Sequence, residues 1–165
     1  MQLNIGCGKK ILDGYINIDK YPSNDSVIFG DLEAGLPLED SCASTILLDN
    51  VIEHVLSVEQ AMSEIYRLLK PNGEVTIITP HFSSASSWQD PTHRHHLSYF
   101  SFDYFSRKKN YLGNASFVTV KKKLSFGGGI SLVGKLIFSL SPEEYEKKFC
   151  FIFRASTLTV TLRKI

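Results

Sequence analysis

Four short apolar runs, each closing on glycine, aspartate or asparagine, constrain the fold of this chain more than any other feature. Leu3-Asn4-Ile5 runs into Gly6-Cys7-Gly8. Tyr15 to Ile18 ends in Asp19, Val27-Ile28-Phe29 in Gly30-Asp31, and Ser44 to Leu48 in Asp49-Asn50. Runs of this length bounded by turn residues read as strands. A fifth, Glu74 to Thr79, is closed by Pro80. Between the fourth and fifth, apolar residues at Val58, Ala61, Met62, Ile65, Leu68 and Leu69 keep helical spacing, with Ser57 as N-cap and Pro71-Asn72-Gly73 as the stop. The pattern predicts an α/β fold with an open, mostly parallel sheet. Only six residues separate Gly8 from Tyr15 and seven separate Asp19 from Val27. A parallel crossover normally takes about a dozen, so the first three strands must be joined by turns or extended loops.

Beyond Pro80 the pattern changes. His81 to Tyr99 is rich in Ser, His and aromatic residues without a period, as functional loops are. Phe102 to Lys109 reads as a helix and Phe117 to Leu124 as a strand. Gly127-Gly128-Gly129 opens a flexible insertion spanning 126–153, within which Pro142 to Lys148 reads as a short helix. Ala155 to Ile165 alternates as a last strand. Neither repeat nor linker is visible, and 165 residues suit one domain, 1–165.

Composition excludes several classes. With 43% apolar and 21% charged residues the chain is neither disordered nor a coiled coil. The most apolar stretch, Phe126 to Leu140, holds Lys135 and four glycines and is too short for a membrane span. No secretory leader is expected. Three cysteines, Cys7, Cys42 and Cys150, lack C-x-x-C spacing, which suits a reducing cytoplasm. Asn114-Ala115-Ser116 matches a glycosylation acceptor that has no meaning there. The net charge of +1 divides into −7 for residues 1–80 and +8 for 81–165, with short basic clusters at Arg107-Lys108-Lys109 and Lys121-Lys122-Lys123. Such a division means either an anionic substrate held by the second half or two faces of one domain.

If the first four strands are parallel, their ends converge on one rim. A glycine turn lets a ligand approach backbone N–H groups suited to a carboxylate or phosphate. Asp19 can accept from a ribose diol and Asp31 from an exocyclic amine. These features describe a nucleoside with an anionic tail. The dinucleotide pattern G-x-G-x-x-G fails at Ile11, and Asp19 follows Gly8 too soon for it. The Walker pattern fails at Gly8-Lys9-Lys10.

Leu3 to Gly8, Gly14 to Asp19, Asp31-Leu32-Glu33 through Leu38, Asn50 to Val55, Leu68 to Glu74 and Asp90-Pro91-Thr92-His93-Arg94 stand in an order that resembles the class I S-adenosylmethionine-dependent methyltransferases of the type 11 branch. The resemblance covers roughly the first 105 residues. It implies a Rossmann-like seven-stranded sheet, with S-adenosylmethionine as cofactor and S-adenosylhomocysteine as product. Residues 1–80 would form the cofactor half, and 81–165 a substrate and lid half. Gly6, Cys7 and Gly8 would cradle the methionine end of the cofactor, with Asn4 standing where the family often has Asp. Asp19 would hold the ribose, Asp31 and Leu32 the adenine, and Asn50 the methionine portion near the transfer site. The acceptor would be a sugar, lipid or other small metabolite, with the basic second half favouring an anionic one. Asp49-Asn50-Val51-Ile52 replaces the Asn/Asp-Pro-Pro-Tyr/Phe motif of base-modifying relatives, so nucleic acid is disfavoured. The rival reading is a non-catalytic S-adenosylmethionine-binding sensor or partner subunit.

His81, His93, His95 and His96 with Asp90 do not keep a standard metal-ligand spacing, and no metal site is expected from them. His81 and His93 are the candidates for a base, because histidine titrates near neutrality. His54, beside Glu53 at a helix start, reads as a structural residue or as part of the cofactor's surroundings rather than as a base. A parallel sheet is commonly apolar on both faces, and the short connections leave one face of the first three strands without a helix. Either the insertion folds over that face or a second copy does, and a homodimer is the expectation.

Overall fold

The computed structural model describes residues 1–106 and 116–165. Seven strands form one sheet: β1 (Gln2–Ile5), β2 (Ile16–Asp19), β3 (Ile28–Phe29), β4 (Ala43–Asp49), β5 (Leu69–Pro80), β6 (Phe117–Phe126) and β7 (Ala155–Lys164). Their order is β3-β2-β1-β4-β5-β7-β6. The pairs from β3 to β5 are parallel, and β7 runs antiparallel to both its neighbours. The carboxyl ends of β1 to β5 therefore share one edge, as the sequence pattern requires.

Register explains the core. Ile18, Ile5, Leu48, Ile77 and Val160 stand side by side across five strands, and Ile16, Leu3, Ile46, Val75 and Leu162 form the next row. All ten face the same side, because side chains alternate along a strand. These rows join one buried cluster with Ala61, Met62, Ile65 and Leu68 of helix α1 (Val58–Leu68), Phe102, Phe105 and Tyr145. The Ser57 hydroxyl caps α1 by accepting from the Gln60 N–H. The helix stops at Leu69, whose residues lead directly into β5, so Pro71-Asn72-Gly73 belongs to the strand rather than to a separate turn.

The row on the opposite face is polar except at Leu47: Asn17, Asn4, Leu47, Thr76 and Thr161. The expectation of a sheet apolar on both faces is corrected here. Asn4 and Asn17 are buried, and their amides hold the loop between β1 and β2 in place of a helix. Asn4 Nδ2 donates to Lys10 O and Asn17 Oδ1, both at 2.8 Å. Asn17 Oδ1 also accepts from Leu12 N, while its Nδ2 donates to Leu12 O and Tyr15 O. Backbone groups that a crossover helix would satisfy internally are satisfied by two side chains.

The second half departs from expectation in three places. The insertion is not a flexible segment over β1 to β3. It holds helix α3 (Ser131–Leu140), which packs on β6 and β7 at the far side of the sheet, followed by α4 (Pro142–Glu144) and a π-helical turn Tyr145–Phe149. Gly134 lets α3 approach the Phe153 backbone, where a Cβ would stand 2.6 Å from the carbonyl oxygen. Segment 81–99 is not free of regular pairing: it contains helix α2 (Ser86–Gln89), and His81 bridges to Leu97. The expected helix from Phe102 is a 3₁₀ turn, Ser101–Phe105. The remainder of that helix, the Arg107-Lys108-Lys109 cluster and most of the Asn114-Ala115-Ser116 tripeptide lie outside the described residues. No described helix is long and apolar enough to cross a membrane.

Asn17→Ala should remove four hydrogen bonds, taking the side-chain partners of Leu12 N, Leu12 O and Tyr15 O and one partner of the buried Asn4 amide. Urea denaturation should show a loss of about 2–3 kcal/mol, whereas a loss below about 0.5 kcal/mol would mean that the loop does not depend on the amide pair.

Candidate functional site

A cavity of about 770 Å³ opens at the carboxyl ends of the parallel strands. Of the residues singled out in the sequence, Gly6, Asp19, Asp31, Leu32, Asn50 and His93 border it. Asn4, Cys7, Gly8 and His81 do not. Asn4 is spent in the buried amide pair. Cys7 is buried, and its thiol is pushed up by burial and by the Asp19 charge. Gly8 lies exposed outside the lining.

The glycine turn is shaped from below. Gly6 has φ +67°, and a Cβ there would collide with both methyls of Val51. Its N–H and that of Cys7 donate to Ile18 O at 2.8 and 3.1 Å, and the Gly8 N–H donates to Asp19 Oδ2 at 2.7 Å. The turn's N–H groups are thus committed to the end of β2, which corrects the expectation that they stand free for an anion. Asp19 Oδ1 accepts from Tyr21 N at 2.7 Å. Each carboxylate oxygen keeps a further lone pair for a ligand.

At the next strand end Asp31 Oδ2 pairs with Lys20 Nζ at 2.7 Å, and Oδ1 accepts from Glu33 N. The Lys20 ammonium holds the Asp31 carboxyl below its usual range despite partial burial. The segment behind it is anchored to α1. Glu33 Oε1 accepts from Leu56 N and Ser57 N, and Arg67 binds Leu36 O, Leu38 O, Asp40 and Glu64. Asn50 closes the fourth strand with φ +56°, a left-handed conformation that asparagine tolerates.

Residues 91–94 form the opposite wall with His54 and Val55. Arg94 N and His95 N both donate to Glu53 O, and His95 Nε2 reaches Val55 O. Trp88 stacks on His96 with centroids 3.6 Å apart, and its Nε1 donates to Phe82 O. No described carboxylate pairs with Arg94. His93 and His54 meet edge to face at 4.6 Å, above Glu53. Glu53 is buried and Thr79 Oγ1 donates to its Oε2; burial pushes its carboxyl above the ordinary value. Lys20, Tyr21 and Val51 line the cavity and were not picked out from sequence. His54, singled out with Glu53 in the sequence, also lines it, while Glu53 is buried.

His81 has a different role from the one expected. It is fully buried, and Ser83 N donates to its Nδ1 at 3.3 Å, so its Nε2–H donates to Glu146 Oε1 at 2.9 Å. Glu146 also accepts from Ser98 Oγ and Tyr99 N. Burial alone would raise the Glu146 carboxyl, but these donors outweigh it and hold it below the ordinary value. Both ring nitrogens of His81 are engaged, so no substrate can use them as a base.

The strand order, the rim and the cavity can be set beside known proteins. Residues 13–77 match the family model described as a methyltransferase domain. The fold is similar to an S-adenosylmethionine-dependent methyltransferase from Archaeoglobus fulgidus, at 18% identity and TM-score 0.61, over 99% of this chain and 85% of that one. It is similar to another from Mesorhizobium loti, at 14% identity and TM-score 0.60, over 98% and 89%. The sheet has the Rossmann-like fold of class I methyltransferases, and the match over residues 13–77 supports a type 11-like domain with S-adenosylmethionine as cofactor. The 4+2 cyclase SpnF shares the fold as well, at 16% identity and TM-score 0.62, over 99% of this chain and 73% of that one. No curated protein sequence matches the chain.

The depressed Glu146 carboxyl adds stability above the ordinary glutamate value of 4.5, lost as pH falls through its folded value. Melting temperature should therefore drop between about pH 5 and pH 3 more steeply in the parent than in Glu146→Gln. The variant should be less stable at neutral pH by about 2–3 kcal/mol. Parallel pH profiles would remove Glu146 from the acid response.

Proposed function

We propose that the protein transfers a methyl group from S-adenosylmethionine to a small, anionic acceptor that enters beside His54, His93 and Arg94. The observation that carries this reading is the convergence of Asp19, Asp31 and Asn50 on one cavity at the strand ends, within a methyltransferase domain. The donor set fits the cofactor. Two carboxylates with spare lone pairs suit a ribose diol and an adenine amine, and Ile5, Leu32 and Val51 offer apolar surface to a flat ring. Asp19 takes the ribose hydroxyls, and Asp31 with Leu32 takes the adenine once Lys20, an exposed partner, swings aside. Gly6 and Asn50 border the methionine portion.

Bound there, the cofactor supplies a methyl on sulfonium sulfur, and an acceptor lone pair takes its carbon as the C–S pair returns to sulfur. The protein's share is alignment and exclusion of water. Arg94 supplies a positive charge at the mouth, which suits a phosphate or carboxylate on the acceptor. His93, with His54 and Glu53 behind it, is the polar cluster facing the acceptor. The SpnF likeness marks the fold as compatible with other chemistry, so turnover is the decisive readout.

We also propose that two copies associate through α3. Ile130, Leu132, Val133, Leu136 and Leu140 are exposed there, with Phe151 and Ile152 beside them. Light scattering over a dilution series should give twice 18.5 kDa at micromolar concentration; a constant monomer mass would reject the dimer.

Asp19→Ala should weaken S-adenosylhomocysteine binding at least about tenfold, since a hydrogen bond to a charged group contributes about 1.5–3 kcal/mol. Calorimetric titration of both proteins measures this, and equal affinity would reject the ribose assignment. Mass-spectrometric detection of methyl transfer to phosphorylated and carboxylated hydroxy compounds tests catalysis. Tight cofactor binding without any turnover would favour a non-catalytic sensor.

A further inference from the structure

Glu53, His54 and His93 present acceptors to one another and no donor. Thr92 uses its single hydroxyl proton on Asp90 Oδ1 at 2.6 Å, so its oxygen accepts from His54 Nδ1 at 3.0 Å. That places the His54 proton on Nδ1 and leaves a lone pair on Nε2. Ser87 O, which can only accept, lies 3.0 Å from His93 Nδ1 and selects the same tautomer. Glu53 Oε1 is buried without a hydrogen-bond partner among the described residues. One ligand atom from each of the three residues lies within 4.8 Å of the other two. A buried acceptor left without a donor, as Glu53 Oε1 is, is costly. A proton would relieve Glu53 alone, whereas a cation would engage all three groups.

We propose that Glu53, His54 and His93 bind a divalent first-row transition metal ion, with its remaining coordination positions open to the cavity. Two imidazole nitrogens and one carboxylate suit zinc, cobalt or manganese, whereas magnesium and calcium favour sets made wholly of oxygen. His54 and His93 line the cavity, while Glu53 is buried, so the open side faces the acceptor. Each imidazole is already oriented through its other nitrogen, by Thr92 with Asp90 and by the Ser87 carbonyl, as metal-binding histidines usually are. Ligand atoms at about 2.0–2.2 Å from an ion stand roughly 3–3.5 Å apart, so the three side chains draw together on binding. The spacing of positions 53, 54 and 93 follows no sequence motif, which is why the sequence alone gives no metal expectation. The ion's use rests on the methyl-transfer reading: an acceptor hydroxyl on an open position becomes more acidic and loses its proton to water. Binding of the ion does not depend on that reading.

The test uses the full chain without a histidine tag, stripped with chelator. Cobalt(II) is followed by its visible absorption, and zinc(II), manganese(II) and magnesium(II) by calorimetry, alongside a separate S-adenosylhomocysteine titration. One equivalent of cobalt or zinc should bind saturably. His54→Ala and His93→Ala should each weaken that binding at least about 100-fold, and Thr92→Val, which acts only through His54, about tenfold. No saturable binding of cobalt, zinc or manganese by a protein that still binds S-adenosylhomocysteine would overturn the metal site and leave the cofactor reading intact. Binding unchanged in both histidine variants, or magnesium bound as tightly as zinc, would also overturn it. Metal binding that is lost in both variants, in a protein without affinity for S-adenosylhomocysteine, would uphold the site while the proposed function fell.

Discussion

Asn4 and Asn17 stand opposite one another on β1 and β2, and their 2.8 Å hydrogen bond joins the two strands whose ends form the rim. The same two amides bind Lys10 O, Leu12 N, Leu12 O and Tyr15 O. The chain thereby returns from β1 to β2 in ten residues, and no helix is needed to shield that end of the sheet. A buried amide is costly unless its donors and acceptors are filled. Here two Asn side chains and one loop fill each other. That closure sets the height of the Gly6–Gly8 turn over β2, so that Gly6, Cys7 and Gly8 all donate to Ile18 or Asp19. The position of Asp19 depends on the latch beneath it.

The two ends of the cavity differ in how charge is held. Asp19 and Asp31 are held in place by backbone N–H groups and, for Asp31, by Lys20, whose ammonium lowers the Asp31 carboxyl. At the other end the carboxylate is deep. Glu53 receives one hydrogen bond from Thr79, and burial disfavours its charge. One end presents half-buried carboxylates held by backbone groups, while the other presents a buried carboxylate and two oriented imidazoles. This division follows from depth in the fold. The β2 and β3 ends lie near the sheet edge, whereas Glu53 sits over β5 at the sheet's centre.

Much of the fold was legible in the residues. Strand ends at Asp19, Asp31 and Asn50, and a helix capped by Ser57, stand where the pattern puts them. The alternation in Leu3-Asn4-Ile5, Ile16-Asn17-Ile18, Val75-Thr76-Ile77 and Val160-Thr161-Leu162 was legible too. It marks a sheet with one apolar face, but a parallel sheet was expected to be apolar on both. His81 could not be read correctly. Nothing near it in sequence shows that Glu146, 65 positions on, returns to take its Nε2–H. The same holds for His93, whose neighbours Glu53 and His54 lie 39 or more residues away. Local patterns reveal strands and caps, whereas long-range side-chain pairs depend on how the second half folds back.

The basic second half also takes on its meaning from topology. Lys121, Lys122 and Lys123 lie on β6, the last strand of the sheet, so their charge marks an exposed edge rather than a substrate grip. Lysines on an edge strand oppose pairing with another chain, and the register shifts in β6 add to that by breaking its ladder. Lys122 is held by Asp103, and Arg163 by Glu74, so part of the positive excess is neutralised within the sheet. The other edge is protected differently: β3 is only two residues long. Both edges are thus blunted against extension of the sheet by another chain, whereas the apolar side of α3 is exposed. Of the basic residues in the second half, Arg94 alone among those described borders the cavity. Three of the thirteen basic residues of the second half thus belong to the edge strand, and among those described only Arg94 stands where a ligand in the cavity would meet its charge.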